Sequence, residues 1–199
     1  WETVLDIDAL NAAEHETWVW HGADCLRPDY SRCLIALSRG GADADVTREF
    51  DIDTRSWVKD GYFRPEAKGG VSWIDQDNVF VYSDFGDGSL TTSGYPRIAK
   101  RWTRGTSLDD ATTVFAGEVD DVAVSAAFDP TPGFERHFVS RATDFFNSLT
   151  YELRDGEAVL VDVPTDSHMS VRHDWLLVMT RSDWALPEVT HPAGTLLVF

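Results

Sequence analysis

The sequence predicts an all-β fold, because short apolar strands and turns rich in Gly, Asp and Pro alternate along almost the whole chain. A set of three or four such strands, closed by a turn, recurs roughly every fifty residues. The best helix candidate is residues 6–15, where we expect one short turn with Asp8 as its cap. A strand-built repeat of this length indicates a β-propeller, in which each repeat forms one blade. A flat β-sandwich is the alternative architecture.

Four blade units are predicted, which together form one partial propeller domain over residues 1–199. Their approximate limits are 17–58, 71–116, 122–161 and 168–199. In each unit the second strand is the most apolar, as expected for a strand that neighbouring blades cover on both faces. The fourth unit has fewer strands than the others, so the sequence predicts a segment of about four blades.

Each strand is assigned from its own pattern of apolar residues. The segment 32–38 is almost wholly apolar, whereas 48–53 alternates charged and bulky residues. The remaining predicted strands are 17–20, 56–58, 71–74, 78–82, 97–102, 112–115, 122–128, 136–141, 148–153, 158–161, 169–172, 175–179 and 195–199. The connection 84–96 is too long for a tight hairpin, and we expect it to project from one face.

Charge and composition exclude several classes of partner. The formal net charge is −17, from 34 acidic and 17 basic side chains, so we expect no nucleic-acid binding. No apolar run approaches the ~20 residues that would span a bilayer, so we expect no membrane partner. We expect a cytoplasmic location, with the periplasm as the alternative. Because the first residue is Trp1 rather than Met, we expect a processed product or part of a longer chain.

The two cysteines are interpreted as free thiols. Cys33 lies in the apolar strand 32–38 and Cys25 in the turn before it. A buried thiol behaves as a small hydrophobic side chain, and two cysteines do not make a disulfide scaffold. A disulfide across the hairpin is the alternative.

Motifs for catalysis, metals and cofactors are missing from the sequence. We find no Gly-x-Ser-x-Gly, no zinc spacing among the six His and no Gly-rich phosphate loop. The segment that starts at Asp51 fails as a calcium loop, because its sixth position is Ser56 and its twelfth is Tyr62. We therefore predict no catalytic residue, no metal and no cofactor. The carboxylate pairs leave a glycosidase open as an alternative: Asp43 with Asp45, and Asp120 with Asp121.

Several segments, in order along the chain, carry a family resemblance. Residues 38–43 read SRGGAD and are followed by VTREFDID at 46–53. Further strings are VSWID at 71–75, DFG at 84–86, GYPR at 94–97, RWTRGT at 101–106, RSDW at 181–184 and PAGTLL at 192–197. Together they resemble the first part of the propeller of the prolyl oligopeptidase family, in its bacterial branch.

The resemblance implies a seven-bladed propeller joined to an α/β-hydrolase domain that carries a Ser-Asp-His triad and cleaves after proline. The propeller would cap the active site and restrict access to short peptides. This chain would then be an incomplete propeller that is inactive alone. Its partners would be the hydrolase domain of the same polypeptide and short peptide substrates.

Lys68 is the candidate for a residue that faces the substrate. The family often has an aromatic residue just before the strand that contains Trp73, and counting back from Trp73 places Lys68 there. A lysine in that place departs from the family pattern.

Two further expectations concern association. A stand-alone propeller that binds a protein partner, through the long connection 84–96, is the alternative function. An incomplete propeller exposes the apolar faces of its terminal blades, so we expect the isolated chain to self-associate or to have an open, arc-like shape.

Overall fold

A computed structural model describes all residues, 1–199. The chain opens with helix α1 (Ile7–Glu14), and the carboxylate of Asp6 caps it by accepting from the Ala9 N–H at 3.0 Å. The helix is therefore longer than the predicted turn, and its cap is Asp6 rather than Asp8. It persists because Ile7 and Leu10 pack against the core of the first sheet. None of the helices is long and apolar enough to cross a membrane.

The rest of the chain forms antiparallel sheets whose strand order mostly follows the chain. The first sheet contains β1 (Trp18–Cys25), β2 (Arg32–Arg39), β3 (Asp45–Asp51), β4 (Ser56–Trp57) and β5 (Phe63–Ala67), with β5 also paired to β3. The second contains β6 (Gly70–Asp75), β7 (Asn78–Tyr82), β8 (Ile98–Thr103) and β9 (Thr112–Ala116), with a 3-10 turn at Leu108–Asp110.

The second half of the chain continues the pattern. The third sheet contains β10 (Ala123–Asp129), β11 (Arg136–Ala142), β12 (Ser148–Arg154) and β13 (Glu157–Leu160). The fourth contains β14 (His168–Arg172), β15 (Trp175–Met179) and β18 (Leu196–Val198). A ribbon of β16 (Trp184–Ala185) and β17 (Thr190–His191) lies between β15 and β18 in the sequence.

Successive sheets pack face to face, as propeller blades do. Strand β10 packs against the second sheet, and β6 packs against β1 and β2 of the first. Along β7, Val79 and Val81 face the core shared with the first sheet, whereas Phe80 faces the core shared with the third. The middle strand is therefore covered on both faces, which accounts for its continuous apolar sequence. A β-sandwich, with a single core between two layers, does not describe this arrangement.

The interpretation of Cys25 and Cys33 as free thiols is wrong, because the structure joins them in a disulfide. The β1–β2 hairpin places Cys25 directly opposite Cys33, with their Cα atoms 4.0 Å apart. The pairing is a consequence of strand register, which the positions of the cysteines in the sequence do not fix.

The long connection between β7 and β8 packs against the connection between β9 and β10 instead of projecting into solvent. The Thr92 N–H donates to the Val119 carbonyl at 2.8 Å, and the hydroxyl groups of Thr91 and Ser93 donate to the Val122 carbonyl. The Arg97 guanidinium in turn donates to the Gly88 carbonyl at 2.7 Å. These bonds fasten the connection to the link between β9 and β10.

The connections between strands define two faces of the molecule. We call the upper face the end that carries connections 40–44, 68–69, 83–97, 117–122, 143–147, 161–167 and 180–195. The opposite end, which carries the other turns, is the lower face.

Candidate functional site

Lys68 lies on the upper face, in the link between β5 and β6. Its ammonium nitrogen is 3.2 Å from a carboxylate oxygen of Asp43 and 4.1 Å from the centre of the Tyr95 ring. The Tyr95 hydroxyl donates a hydrogen bond to the same carboxylate. Three separate connections thus bring these side chains together, and we call Lys68, Asp43 and Tyr95 the upper-face cluster.

The electrostatics of the cluster follow from these contacts. The hydrogen bond from Tyr95 and the charge of Lys68 lower the pKa of Asp43, so the carboxylate is ionised at neutral pH. The same hydrogen bond raises the pKa of Tyr95, whose phenol stays protonated. The Lys68 side chain keeps 33% of its surface exposed, so its ammonium can still donate to an incoming carbonyl or carboxylate.

A buried arginine fixes the backbone below the cluster. The Arg64 side chain is fully buried, pairs with Asp45 and donates to the Ala67 carbonyl at 2.9 Å, directly before Lys68. Desolvation lowers the pKa of Arg64, and the charge of Asp45 opposes that effect. Asp45 also lies 2.8 Å from Nδ1 of His21. This network holds the start of the β5–β6 link in one position.

The residue after Lys68 needs to be glycine. Gly69 has φ +132°, and a Cβ atom placed there would lie 2.0 Å from the Tyr82 carbonyl oxygen. Only glycine permits both this conformation and this close approach of two backbone segments. The backbone is therefore constrained on both sides of Lys68: before it by the hydrogen bond from Arg64 to the Ala67 carbonyl, and after it by the close approach at Gly69.

A cavity of about 780 Å³ lies between the first strands of the four sheets, on the side of the lower face. Residues of β1, β6, β10 and β14 line it, and half of the lining is hydrophobic. Asp24 and Arg27 contribute charge from the first sheet, and Asp129 and Arg172 contribute it from the third and fourth. Trp73 anchors one wall, because its backbone N–H donates to the Asp24 carboxylate at 3.1 Å. The lining of the cavity is thus mixed in polarity.

Three of the four carboxylates considered for a glycosidase are held in other contacts. Asp43 belongs to the upper-face cluster, and Asp45 is paired with Arg64. Asp121 accepts from Nε of Arg141 at 2.6 Å and from the Glu118 N–H at 2.7 Å. Both Asp45 and Asp121 are thus engaged in buried ion pairs, which is a structural role. The chain contains no group of three or more His, Cys, Asp or Glu that could hold a metal ion.

Sequence reasoning missed a buried ion pair between the first two sheets. Glu49 has no exposed side-chain surface, and Arg104 donates to its two oxygens at 2.8 and 3.0 Å. The Tyr62 N–H donates to the same carboxylate at 2.9 Å. The only signal in the sequence is the alternation of charged and bulky residues at 48–53, which does not show that Glu49 is buried or that Arg104 is its partner.

Comparisons with known proteins agree with this fold. The family model described as the prolyl oligopeptidase N-terminal β-propeller domain matches residues 1–129. The uncharacterized peptidase y4nA of Sinorhizobium fredii is 38% identical over 195 residues, covering 92% of this chain and 26% of that protein. The uncharacterized peptidase RP174 of Rickettsia prowazekii is 24% identical, covering 99% of this chain and 29% of that protein.

Solved structures show the same architecture over the whole length of the chain. A post-proline cleaving enzyme from Rickettsia typhi superposes with a TM-score of 0.92 at 25% identity, covering 100% of this chain and 31% of that one. Oligopeptidase B from Leishmania major superposes with a TM-score of 0.67 at 11% identity, covering 99% and 26% respectively. This second likeness concerns the fold alone.

The chain therefore spans between a quarter and a third of the length of these relatives. The match of the family model covers well over half of the 199 residues, and the resemblance found in the sequence is confirmed. This chain belongs to the prolyl oligopeptidase family, and it corresponds to part of the N-terminal β-propeller domain of that family.

Proposed function

We propose that this chain is the non-catalytic propeller portion of a serine peptidase that cleaves short peptides after proline. The propeller caps an α/β-hydrolase domain of the same polypeptide and restricts access to it. The observation that carries the proposal is the superposition, with a TM-score of 0.92, on a post-proline cleaving enzyme of which this chain spans 31%.

The side chains of this chain support the assignment of the chemistry to the rest of the polypeptide. His21 contacts Asp45, but its imidazole makes no hydrogen bond to a serine or threonine hydroxyl. A nucleophile, a base and an acid in hydrogen-bonding succession are what peptide hydrolysis by a serine peptidase requires. The propeller portion contributes binding and access instead.

The packing of the sheets supports a rigid cap. The Glu49–Arg104 pair and the rings of Tyr62, Trp73 and Trp102 join the first two sheets, with ring centres 4.9 and 5.7 Å apart. A third apolar cluster joins the second and third sheets. Blades fastened in this way exclude large substrates by shape, and the cavity between their first strands remains wide enough for an extended peptide.

The stand-alone binding module receives less support. That hypothesis depended on a connection at 84–96 that projects into solvent, and the structure fastens this connection to Val119 and Val122.

Within this function, we assign Lys68 to substrate contact. Its ammonium is partly exposed on the upper face and is held by Asp43 and Tyr95. A cation in this position favours the free carboxylate at the end of a short peptide. Asp43 balances its charge, which weakens but does not abolish that attraction.

The test uses the full-length protein and two peptides with one internal proline, identical except for a free or an amidated C-terminus. We expect cleavage on the carboxyl side of proline, and we expect Lys68→Met to raise KM about tenfold for the free acid only, since one charged hydrogen bond contributes about 1.5 kcal/mol. Lys59→Met, which removes an exposed lysine away from the cluster, is the control. Absence of cleavage after proline would refute the proposed activity, and equal effects on both peptides would refute the role of Lys68.

A further inference from the structure

The turn between β11 and β12 presents two adjacent phenylalanines to solvent. Phe145 is 90% exposed and Phe146 is 73% exposed, although aromatic rings gain the most free energy from burial. Both lie on the upper face, in connection 143–147, and neither lines the cavity between the first strands. We call these two residues the phenylalanine pair.

The backbone holds this pair in a fixed position. The Asp144 carboxylate accepts from the N–H groups of Phe146 and Asn147 at 2.7 and 2.9 Å, and from the Asn147 side-chain amide. The Thr165 hydroxyl donates to the Asn147 side-chain oxygen at 2.7 Å, which ties the turn to the next connection. A preorganised turn loses little conformational entropy on binding, and buried aromatic anchors dominate the energy of most interfaces.

The charge of the upper face indicates what kind of surface would cover the phenylalanine pair. Connections of the upper face carry mostly acidic side chains: Asp43, Asp84, Asp87, Glu118, Asp120, Asp121, Asp144, Asp162, Asp166, Asp183 and Glu188, against Lys68, Arg97 and Arg181. A second copy of this chain would bring the same acidic face, and like charges would oppose that contact. The matching surface is an apolar pocket with a cationic rim.

We propose that the phenylalanine pair inserts into such a pocket on the catalytic portion of the same polypeptide, and so fastens the upper face over it. The relatives are three to four times longer than this chain, which spans 26% to 31% of their length. Most of the polypeptide therefore lies outside these residues and is available as the partner. This inference rests on the proposed capping function and adds to it the contact that holds the cap closed.

The test compares three forms of the full-length protein: wild type, the double variant Phe145→Ser with Phe146→Ser, and Phe63→Ser. Phe63 is 54% exposed on β5, so it is a matched control for loss of an exposed ring. Serine keeps the turn polar and leaves its hydrogen bonds to Asp144 intact. The readouts are the rate of limited proteolysis between the domains, and cleavage of a long unfolded polypeptide that contains proline.

We expect the double variant to be nicked at least about tenfold faster than wild type and to cleave the long polypeptide, because two anchor residues are lost. Phe63→Ser should behave as wild type.

If the double variant matches wild type in both readouts, the proposed anchor is refuted. The capping function still stands in that case, provided that the wild-type protein excludes the long polypeptide. Cleavage of the long polypeptide by the wild-type protein would instead refute the proposed capping function, on which this inference rests. Conversion of a dimer to a monomer by the double variant, seen by light scattering, would identify a second copy as the occupant and overturn the proposal.

Discussion

Glu49 is the residue that most clearly joins two blades. Its carboxylate is fully buried on β3 of the first sheet, and its partner Arg104 follows β8 of the second. Burying a carboxylate is costly, and two cations offset that cost: Arg32, from the same sheet and 3.6 Å from the carboxylate, and Arg104, which the second sheet supplies. Glu49 therefore acts as a lock on the relative position of the blades.

The corresponding prediction concerns removal of the charge. Glu49→Gln keeps the shape of the side chain but removes the anion that Arg32 and Arg104 share, and we expect a loss of about 2 kcal/mol in the free energy of unfolding, the contribution of hydrogen bonds to a charged group. The control is Glu152→Gln, because Glu152 pairs with an Arg154 that is 61% exposed and should contribute less than about 1 kcal/mol. Urea unfolding of the three proteins measures both values. Equal losses for the two variants would contradict the interpretation of Glu49 as an interblade lock.

Single residues also show why the site was harder to predict than the fold. Counting back from Trp73 gives Lys68 as a candidate, but the side chains that contact it, Asp43 and Tyr95, lie in distant connections of the chain. Arg104 is likewise 55 residues away from Glu49. Partners brought together only by tertiary packing leave no local pattern in a sequence, so these contacts cannot be predicted from it.

At the scale of elements, the strands were the most predictable part of the molecule. The apolar run 32–38 indicated a strand covered on both faces, and β2 indeed contributes Leu34 to one core and Ile35 to another. Helix α1 was underestimated because much of its stability comes from packing on the first sheet rather than from its own sequence. The Cys25–Cys33 disulfide escaped prediction because hairpin register decides which residues lie opposite each other.

The link between β5 and β6 gives the prediction at this scale. Gly69→Ala places a methyl group against the Tyr82 carbonyl, so we expect it to lower the free energy of unfolding by at least about 2 kcal/mol. Gly88 also has a positive φ, of +75°, but nothing lies within 4 Å of a Cβ atom there. Gly88→Ala should thus cost only the conformational strain, about 1 kcal/mol.

Thermal or urea unfolding of both glycine variants separates the two contributions. The difference between them reports the close approach of the backbone segments beside Lys68. If Gly69→Ala proves no more costly than Gly88→Ala, the link is not held as tightly as the structure indicates.

At the scale of the whole molecule, successive interfaces between sheets replace a single central core. Three apolar clusters follow one another: one beneath α1 in the first sheet, one between the first and second sheets, and one between the second and third. Each sheet is stabilised mainly by its neighbours, as in other repeat-built folds. The expected self-association of the isolated chain stays a prediction, in keeping with the exposed apolar side chains Trp175, Met179, Leu196 and Val198 of the fourth sheet.

The proposed function makes one central claim: this chain screens substrates for a post-proline peptidase. The direct measurement is the rate at which the full-length protein cleaves a series of peptides of increasing length that share one proline-containing sequence. The account predicts cleavage after proline in the short peptides and loss of cleavage once the same sequence lies within a long unfolded polypeptide. Cleavage of the long polypeptide at the rate of the short peptides would contradict it.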